Sequence, residues 1–245
     1  MDMTFIEELS LNNWPALSTV LYDGWVLRFA EGYTKRANSV SPIYGGKRDL
    51  APKIDACERI YRENGLRPVF KLTASAPDGL DRLLSDRGYE QVDMTSVQTL
   101  ELIRLREPMP AECRIETHPS DSWVADFCRL TGTSAHHQAI MTRMLGKIRT
   151  GTGFITFHAE GKAVACGFGV IERGYIGLYD IVTDPAYRNR GFAEQMILHL
   201  LHWGKKEGAR FGYLAVVLNN APALRLYAKL GYREAYRYWY RCASR

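Results

Sequence analysis

The 245-residue sequence predicts a mixed α/β fold of the α+β type, and three observations support that prediction. Short apolar runs of strand length alternate with longer segments whose apolar residues recur at helical spacing. The segment Arg106-Glu-Pro-Met-Pro110 interrupts this alternation with two prolines and alternating charges, which is typical of a domain boundary. The order helix, strand, helix, strand occurs before this segment and again after it, which indicates an internal repeat.

The first half contains the earlier copy of this order. A helix is predicted to end at Gly65 and a second helix at Gly88, because glycine commonly follows the last helical residue. Upstream, Gly24-Trp-Val-Leu-Arg28 through Thr34 to Val40 alternates like a β-hairpin. The predicted elements after this hairpin are a helix over 50–62, a strand over 68–73, a helix over 80–86 and a strand over 92–102.

The second half contains a strand that ends at Asp180-Ile-Val-Thr183 and a helix that begins near Phe192. The apolar residues of this helix form one stripe, while its charged residues fall elsewhere, so we expect one face to be buried. Gly208 ends the helix. The stripe consists of Phe192, Met196, Ile197, Leu200 and Leu201.

Three further elements complete the second half. The apolar run 213–218 is typical of a buried strand. Asn219-Asn220-Ala221-Pro222 supplies an N-cap and a proline that only a first turn tolerates, so a helix is predicted over 223–230, with Gly231 after it. The aromatic-rich segment 232–242 predicts a final strand.

The two copies of the repeat are related by a constant offset of 143 residues. At this offset Leu84 corresponds to Tyr227, and Arg48 corresponds to Gly191. The first copy therefore lacks the tyrosine and the small loop residue of the second copy. We predict a degenerate domain over residues 1–106 and an active domain over 112–245, with an unrelated α+β domain as the alternative for the first. The offset superimposes Gly65 on Gly208, Gly88 on Gly231 and Tyr89 on Tyr232.

The loop before the helix at Phe192 has the composition of a phosphate cradle. A helix start leaves backbone N–H groups without intrahelical partners and carries the positive end of the helix dipole. Small residues there, Gly191 and Ala193, let an anion approach closely, and Arg188 and Arg190 add positive charge. The sequence therefore predicts an anion site at residues 188–193, with a purely solvated basic surface as the alternative.

The pattern Arg188-x-x-Gly191-x-Ala193, followed by Asn220 and by Leu226-Tyr227-x-x-x-Gly231-Tyr232, resembles the cofactor-binding half of the GNAT (Gcn5-related N-acetyltransferase) superfamily. The resemblance covers about residues 114–240, and the first half resembles bacterial members with an extended N-terminal region. It implies a central mixed, mostly antiparallel sheet flanked by helices, here as a tandem of a degenerate and an active copy.

The resemblance also implies a set of site residues. Acetyl-CoA is the implied co-substrate, bound by residues that include Asn189 and Asn220, the latter also explicable as a simple helix cap. Tyr227 is implied to protonate the departing thiolate, and a phenol of pKa ~10 suits that role because it is protonated at neutral pH. Spacing alone would also allow Tyr227 to be a core residue. The full cofactor-binding set is Ile181, Val182, Thr183, Arg188, Asn189, Arg190, Gly191, Phe192, Ala193, Asn220 and Tyr227.

The general base is less well defined by the sequence. Asp180 is the favoured candidate, because a carboxylate beside the acceptor could take a proton directly or through water. It could equally be a structural hydrogen-bond acceptor. Glu172 and Tyr179 also lie on or beside the strands that are expected to flank the acceptor, and the pair His136-His137 is a further candidate.

These inferences predict an acetyl-CoA-dependent N-acetyltransferase that acts on a primary amine by direct attack in a ternary complex. We expect a small-molecule amine, because an additional N-terminal lobe would narrow the cleft. The alternatives are a protein or peptide amine as acceptor, or a non-catalytic module that binds or senses acyl-CoA. The sequence leaves monomer and homodimer open.

Composition limits the other possibilities. Hydrophobic content of 46% suffices for a core, no apolar run reaches the ~20 residues of a membrane span, and no signal segment is visible, so we expect a cytoplasmic protein without membrane contact. Residues 185–245 hold eleven Lys and Arg but three Glu, without a nucleic-acid-binding motif, so no nucleic acid is expected. Five scattered cysteines favour free thiols, and His199 and His202 lack companion ligands, so no metal is expected.

Overall fold

The computed structural model describes residues 2–243, which fall into two compact units. Unit 1 contains the described residues of Met1–Val97, Ala215–Ala221 and Glu234–Arg245. Unit 2 contains Gln98–Leu214 and Pro222–Arg233. The units are therefore discontinuous in sequence, unlike the predicted domains 1–106 and 112–245, because the last strand of the chain belongs to unit 1.

Helices and strands alternate along most of the chain, as the sequence predicts. In chain order they are α1 (Met3–Asn13), β1 (Ser18–Tyr22), β2 (Trp25–Phe29), β3 (Val40–Pro42), α2 (Leu50–Glu63), β4 (Val69–Thr73), α3 (Leu80–Asp86), β5 (Tyr89–Glu101), β6 (Cys113–Glu116), α4 (Asp121–Thr131), α5 (Ala135–Leu145), β7 (Gly151–Ala159), β8 (Lys162–Glu172), β9 (Tyr175–Thr183), α6 (Phe192–Lys206), β10 (Phe211–Val217), α7 (Ala221–Leu230) and β11 (Arg233–Ala243).

In unit 1 the strands follow the order β1-β2-β3-β4-β11-β5. The pair β3–β4 is parallel, whereas β1–β2, β2–β3 and β4–β11 are antiparallel. The last strand, β11, pairs with β4 from Tyr238 opposite Thr73 to Cys242 opposite Val69. It is also held by Arg241, whose guanidinium donates two hydrogen bonds of 2.8 and 2.9 Å to the carboxylate of Asp81.

In unit 2 the order is β10-β9-β8-β7-β6, with β9–β10 parallel and the other pairs antiparallel. The mixed, mostly antiparallel arrangement that the resemblance implies is confirmed. Helices cover both faces of this sheet. Alternate residues of a strand point to opposite faces, so neighbouring residues of one strand contact different helices. Trp123 of α4 packs against Phe154 and Phe168, while Trp203 of α6 lies against the neighbouring Gly153 and Gly169.

The repeat is visible in the elements themselves. At the offset of 143, α2, β4, α3 and β5 coincide with α6, β10, α7 and β11 within a few residues. The glycines that follow the helices adopt positive φ in both copies, +67° at Gly65 and +94° at Gly208, which glycine tolerates without strain. The predicted glycine-terminated helices are therefore confirmed.

The predicted hairpin between residues 24 and 40 is only partly correct. β2 pairs with β3 at Leu27 opposite Val40, but β2 also pairs with β1, a strand that the sequence interpretation did not include. A short 3-10 helix at Lys35–Ala37 separates β2 from β3. Asn38 stabilises this connection, since its amide oxygen accepts from the N–H groups of Ala30 and Gly32 at 2.7 and 2.9 Å.

Three further expectations concern cysteines, metals and membranes. The five cysteines are free thiols in the structure. Within residues 2–243, no cluster of three or more His, Cys, Asp or Glu has the arrangement of a metal site. In the same range, no helix combines the length and the apolar character that crossing a bilayer requires.

Candidate active site

A β-bulge interrupts β9 at Asp180. Val182 pairs with Cys166 and Tyr179 pairs with Phe168, so the two residues Asp180 and Ile181 face Gly167 alone on β8. Asp180 has a left-handed backbone, with φ of +51°. A Cβ atom on Gly167 would lie 2.6 Å from Ile181 Cδ1 and 3.3 Å from its Cα. The bulge thus depends on a glycine opposite it, and it turns the backbone of the residues that follow.

Beyond this bulge, β9 extends past its ladder with β10. That ladder contains three residue pairs and ends at Tyr213 opposite Gly177, whereas β9 remains paired with β8 as far as Thr183. The hydroxyls of Tyr179 and Tyr213 lie 2.6 Å apart just beyond the last pair. All four residues 180–183 are half-buried. The Thr183 hydroxyl oxygen is buried and has no hydrogen-bond partner among the residues that the structure describes.

The loop after β9 leads directly into α6 and has two left-handed residues at alternate positions. Asn189 has φ of +60° and Gly191 has φ of +85°. Such alternation is typical of concave backbone segments whose N–H groups converge on an anion. Gly191 is the N-cap of α6 and supplies no side-chain cap, and a Cβ there would meet nothing within 4 Å. Arg188 and Arg190 are exposed beside it.

Tyr227 lies on α7, with its ring edge-on to Tyr232 at a centroid distance of 5.9 Å. The side chain is buried, and burial raises the pKa of its phenol to about 12. Within residues 2–243 the hydroxyl has no hydrogen-bond partner. Tyr227 therefore presents a protonated hydroxyl that the protein itself does not use.

An ion pair joins the helix of Tyr227 to the loop. Lys229 of α7 donates to the carboxylate of Glu194 in the first turn of α6 at 2.7 Å, and Arg106 donates to the other oxygen of that carboxylate. The last turn of α7 and the first turn of α6 are thus in contact. The sequence analysis did not assign Arg106, Glu194 or Lys229 to the site. Glu194 is the third residue of α6, a position from which glutamate often caps a helix.

The other candidates lie as follows. Asn220 is exposed, immediately precedes α7 and donates its backbone N–H to Val217 O at 3.0 Å; it falls in a segment that belongs to unit 1. His136 and His137 are both exposed in the first turn of α5. Glu172 is at the end of β8, where its carboxylate oxygen Oε1 lies 3.4 Å from Nε of Arg173.

The loop of unit 1 that corresponds to residues 188–191 already holds an anion, the carboxylate of Asp23. The backbone N–H groups of Lys47 and Arg48 donate to it at 3.0 Å, and the buried Lys53 of α2 donates at 2.9 Å. These hydrogen bonds, with that from Lys47 foremost, hold the pKa of Asp23 well below its usual range. The Asp23-Gly24 turn of the β1–β2 hairpin carries the carboxylate into the loop, and this Asp-Gly signal was available in the sequence.

Comparison with known proteins identifies the family of the chain. The family model described as "Probable histone acetyltransferase Rv0428c C-terminal" matches residues 2–241. The chain belongs to this family, and it is a GNAT-superfamily N-acetyltransferase.

One relative, described as the uncharacterized N-acetyltransferase YobR of Bacillus subtilis (strain 168), is 30% identical over 247 residues, which cover 98% of each chain. Among solved structures, a GCN5-related N-acetyltransferase from Kribbella flavida has a TM-score of 0.75 at 16% identity, covering 99% of this chain and 95% of that one. A tandem GNAT protein from the clavulanic acid biosynthesis pathway has a TM-score of 0.64 at 14% identity, covering 97% and 87%. At these identities the two structures show a shared fold.

Proposed function

We propose that the protein transfers an acetyl group from acetyl-CoA to a primary amine by direct attack in a ternary complex. One observation carries the proposal: a bulged strand leads into a glycine-capped helix start, and the helix that bears Tyr227 contacts that same helix start through Lys229. This combination offers backbone hydrogen-bonding groups, an anion cradle and a protonated phenol. Each of these fits one part of an acyl-CoA molecule.

Residues 181–183 would bind the pantetheine arm through their backbone. The unpartnered hydroxyl of Thr183 supports this assignment, because a buried polar group without a partner is costly unless a ligand or water satisfies it. Residues 188–193 would bind the pyrophosphate at the start of α6, where backbone N–H groups and the helix dipole favour negative charge. Asn220 remains a proposed contact on the basis of the resemblance.

The reaction forms a bond between the amine nitrogen and the acetyl carbon, and it breaks the bond from that carbon to sulfur. A backbone N–H of β9 would stabilise the negative charge that develops on the carbonyl oxygen. Tyr227 would give its proton to the departing thiolate. Asp180 would take the proton that the attacking ammonium must lose, directly or through a water molecule.

Unit 1 is not expected to bind a second acetyl-CoA. Its corresponding loop is satisfied by Asp23, and a Cβ atom on Gly46 would already lie 2.4 Å from that carboxylate and from Lys53 Nζ. A pyrophosphate would have to displace an ion pair that the fold supplies. We therefore propose that the first copy is a degenerate GNAT-like repeat.

A small amine is the proposed acceptor. Residues 185–245 carry eleven Lys and Arg against three Glu, so a strongly cationic protein tail would meet charge of its own sign. The description of the matching family names a histone, which keeps a protein amine as the competing acceptor. A thiol-release screen with small amines and with basic peptides, each at equal amine concentration, distinguishes the two.

Calorimetric titration with acetyl-CoA tests the donor site. We expect one site per chain and loss of binding in Gly191→Glu, because the new carboxylate would project into the cradle. Gly208→Glu is the matched control: it lies after the same helix, also has positive φ, and also has open space around a Cβ. Two equivalent sites, or equal binding by Gly191→Glu and Gly208→Glu, would contradict the proposal. Binding without thiol release from any amine would instead favour the non-catalytic module.

A further inference from the structure

In unit 1 the carboxylate of Asp23 occupies the loop that corresponds to residues 188–191. In unit 2 the carboxylate of Glu194, in the first turn of α6, is bound instead by Lys229 and Arg106. We infer that Lys229 and Arg106 keep the cradle open by holding the Glu194 carboxylate away from the N–H groups of the first turn of α6. They would be positioning residues for acyl-CoA binding. This inference rests on the proposed function and deepens it.

Glu194 is the natural competitor for the cradle. It is the third residue of α6 after the N-cap Gly191. A glutamate at this position commonly turns back to accept a hydrogen bond from the N-cap backbone N–H, which satisfies part of the helix start. Gly191 has no side chain to provide a cap. A capped helix start would offer a phosphate fewer N–H groups and an adjacent negative charge.

The structure shows the carboxylate of Glu194 turned elsewhere. One oxygen accepts from Lys229 Nζ at 2.7 Å, and the other accepts from the Arg106 guanidinium. The side chain is 11% exposed, whereas Lys229 and Arg106 are about 60% exposed. The hydrogen bond from Lys229, together with that from Arg106, lowers the pKa of Glu194, so the group is a carboxylate at neutral pH.

The two cations that bind the carboxylate of Glu194 come from two different elements of the fold. Lys229 belongs to the last turn of α7. Arg106 belongs to the linker before β6. Two hydrogen bonds of 3.0 Å attach this linker to α6, one from His202 to Arg106 O and one from His199 to Met109 O. Glu194 is thus held from two sides that are not part of its own helix.

Unit 1 shows what a carboxylate does when such a loop is available to it. Asp23 accepts from two consecutive backbone N–H groups there and receives Lys53 as its counter-ion. In the second copy the carboxylate of Glu194 has two counter-ions and no backbone donor among its hydrogen bonds to described residues. The two copies therefore differ in the groups that bind the carboxylate. In unit 1 backbone N–H groups of the loop donate to it, and in unit 2 the side chains of Lys229 and Arg106 do so.

The test measures the Kd for CoA by calorimetry in the full-length protein, with the thermal midpoint of each variant as a folding check. Lys229→Gln should raise the Kd about tenfold, the factor that a helix cap of ordinary strength represents. Arg106→Gln should act in the same direction. Glu194→Ala alone should change the Kd less than threefold, and Glu194→Ala combined with Lys229→Gln should restore near-wild-type affinity, because alanine has no side-chain acceptor that could cap the helix start. Lys206→Gln, at the exposed far end of α6, controls for loss of one positive charge.

The alternatives give different patterns. If Lys229 bound the phosphates directly, the double variant would stay weak. If only summed charge mattered, Glu194→Ala alone would bind more tightly by the factor that Lys229→Gln loses. Either result, or unchanged affinity in Lys229→Gln, would overturn the inference while the wild-type affinity upholds the donor site. A wild-type protein that does not bind CoA would overturn both.

Discussion

Replacing Tyr227 by phenylalanine separates a catalytic from a structural role for this residue. The substitution removes one hydroxyl and keeps the ring that packs edge-on against Tyr232. Since the hydroxyl has no partner among residues 2–243, folding should lose less than about 1 kcal/mol. A positioned general acid contributes ~10²-fold or more to the rate, which corresponds to about 2.7 kcal/mol of transition-state stabilisation. The catalytic loss should therefore clearly exceed the loss of stability.

The assay is thiol release at saturating acetyl-CoA, with Kd and thermal midpoint measured on the same preparation. Tyr232→Phe is the matched control, because its hydroxyl is also buried without a partner among the described residues but lies against the backbone of Gly212. We expect Tyr232→Phe to retain turnover within about threefold. If Tyr227→Phe also did so, the thiolate would obtain its proton elsewhere, and Tyr227 would be a packing residue.

The pH dependence of turnover provides a second readout of the same role. A phenol whose pKa is raised to about 12 stays protonated as the pH increases towards 10. Tyr227 should therefore cause no loss of turnover between pH 7 and 10. An alkaline decrease in that range that disappears in Tyr227→Phe would show that the phenol loses its proton much earlier than its burial indicates.

Three further predictions concern the fold and the bulge. A protein that begins at Glu112 should be insoluble or inactive because β11 loses its five pairs with β4, and a soluble, fully active fragment by light scattering and thiol release would contradict this. Hydrogen bonds from Arg241, then Trp239, lower the pKa of Asp81, so its stabilising contribution is present above the ordinary carboxyl pKa and is lost as the pH falls through the lowered value. Denaturant titrations should show wild type exceeding Asp81→Asn by a constant margin from pH 8 to 5 and by a smaller margin below about pH 4; a margin independent of pH would be inconsistent with this ion pair. Gly167→Ala should impair thiol release more than Gly169→Ala, whose new methyl would meet only side-chain atoms, and equal activity at equal stability would argue against a role for the bulge.

Several site features could be predicted from the sequence because they depend on neighbours in the chain. The start of α6 follows from its apolar stripe and from the small residues before it, and Gly191 adopts the positive φ that only glycine accepts without strain. The predicted order of elements around Tyr227 is also found in the structure, where α7 ends just before Gly231 and a strand follows. The repeat was visible for the same reason, since glycines that end helices are local signals.

Other features depend on the tertiary structure alone. β11 pairs with β4 across more than 150 residues of sequence, and no single segment encodes that register. Asp23 enters the first loop because a hairpin turn brings it there, and Glu194 is held by residues from a linker and from another helix. By itself the sequence predicts an anion site at the start of α6, because capping and periodicity act over a few residues. Only the tertiary structure shows that the carboxylate of Asp23 fills the loop of unit 1 and that Lys229 and Arg106 hold the carboxylate of Glu194, because these contacts join residues that are distant in sequence.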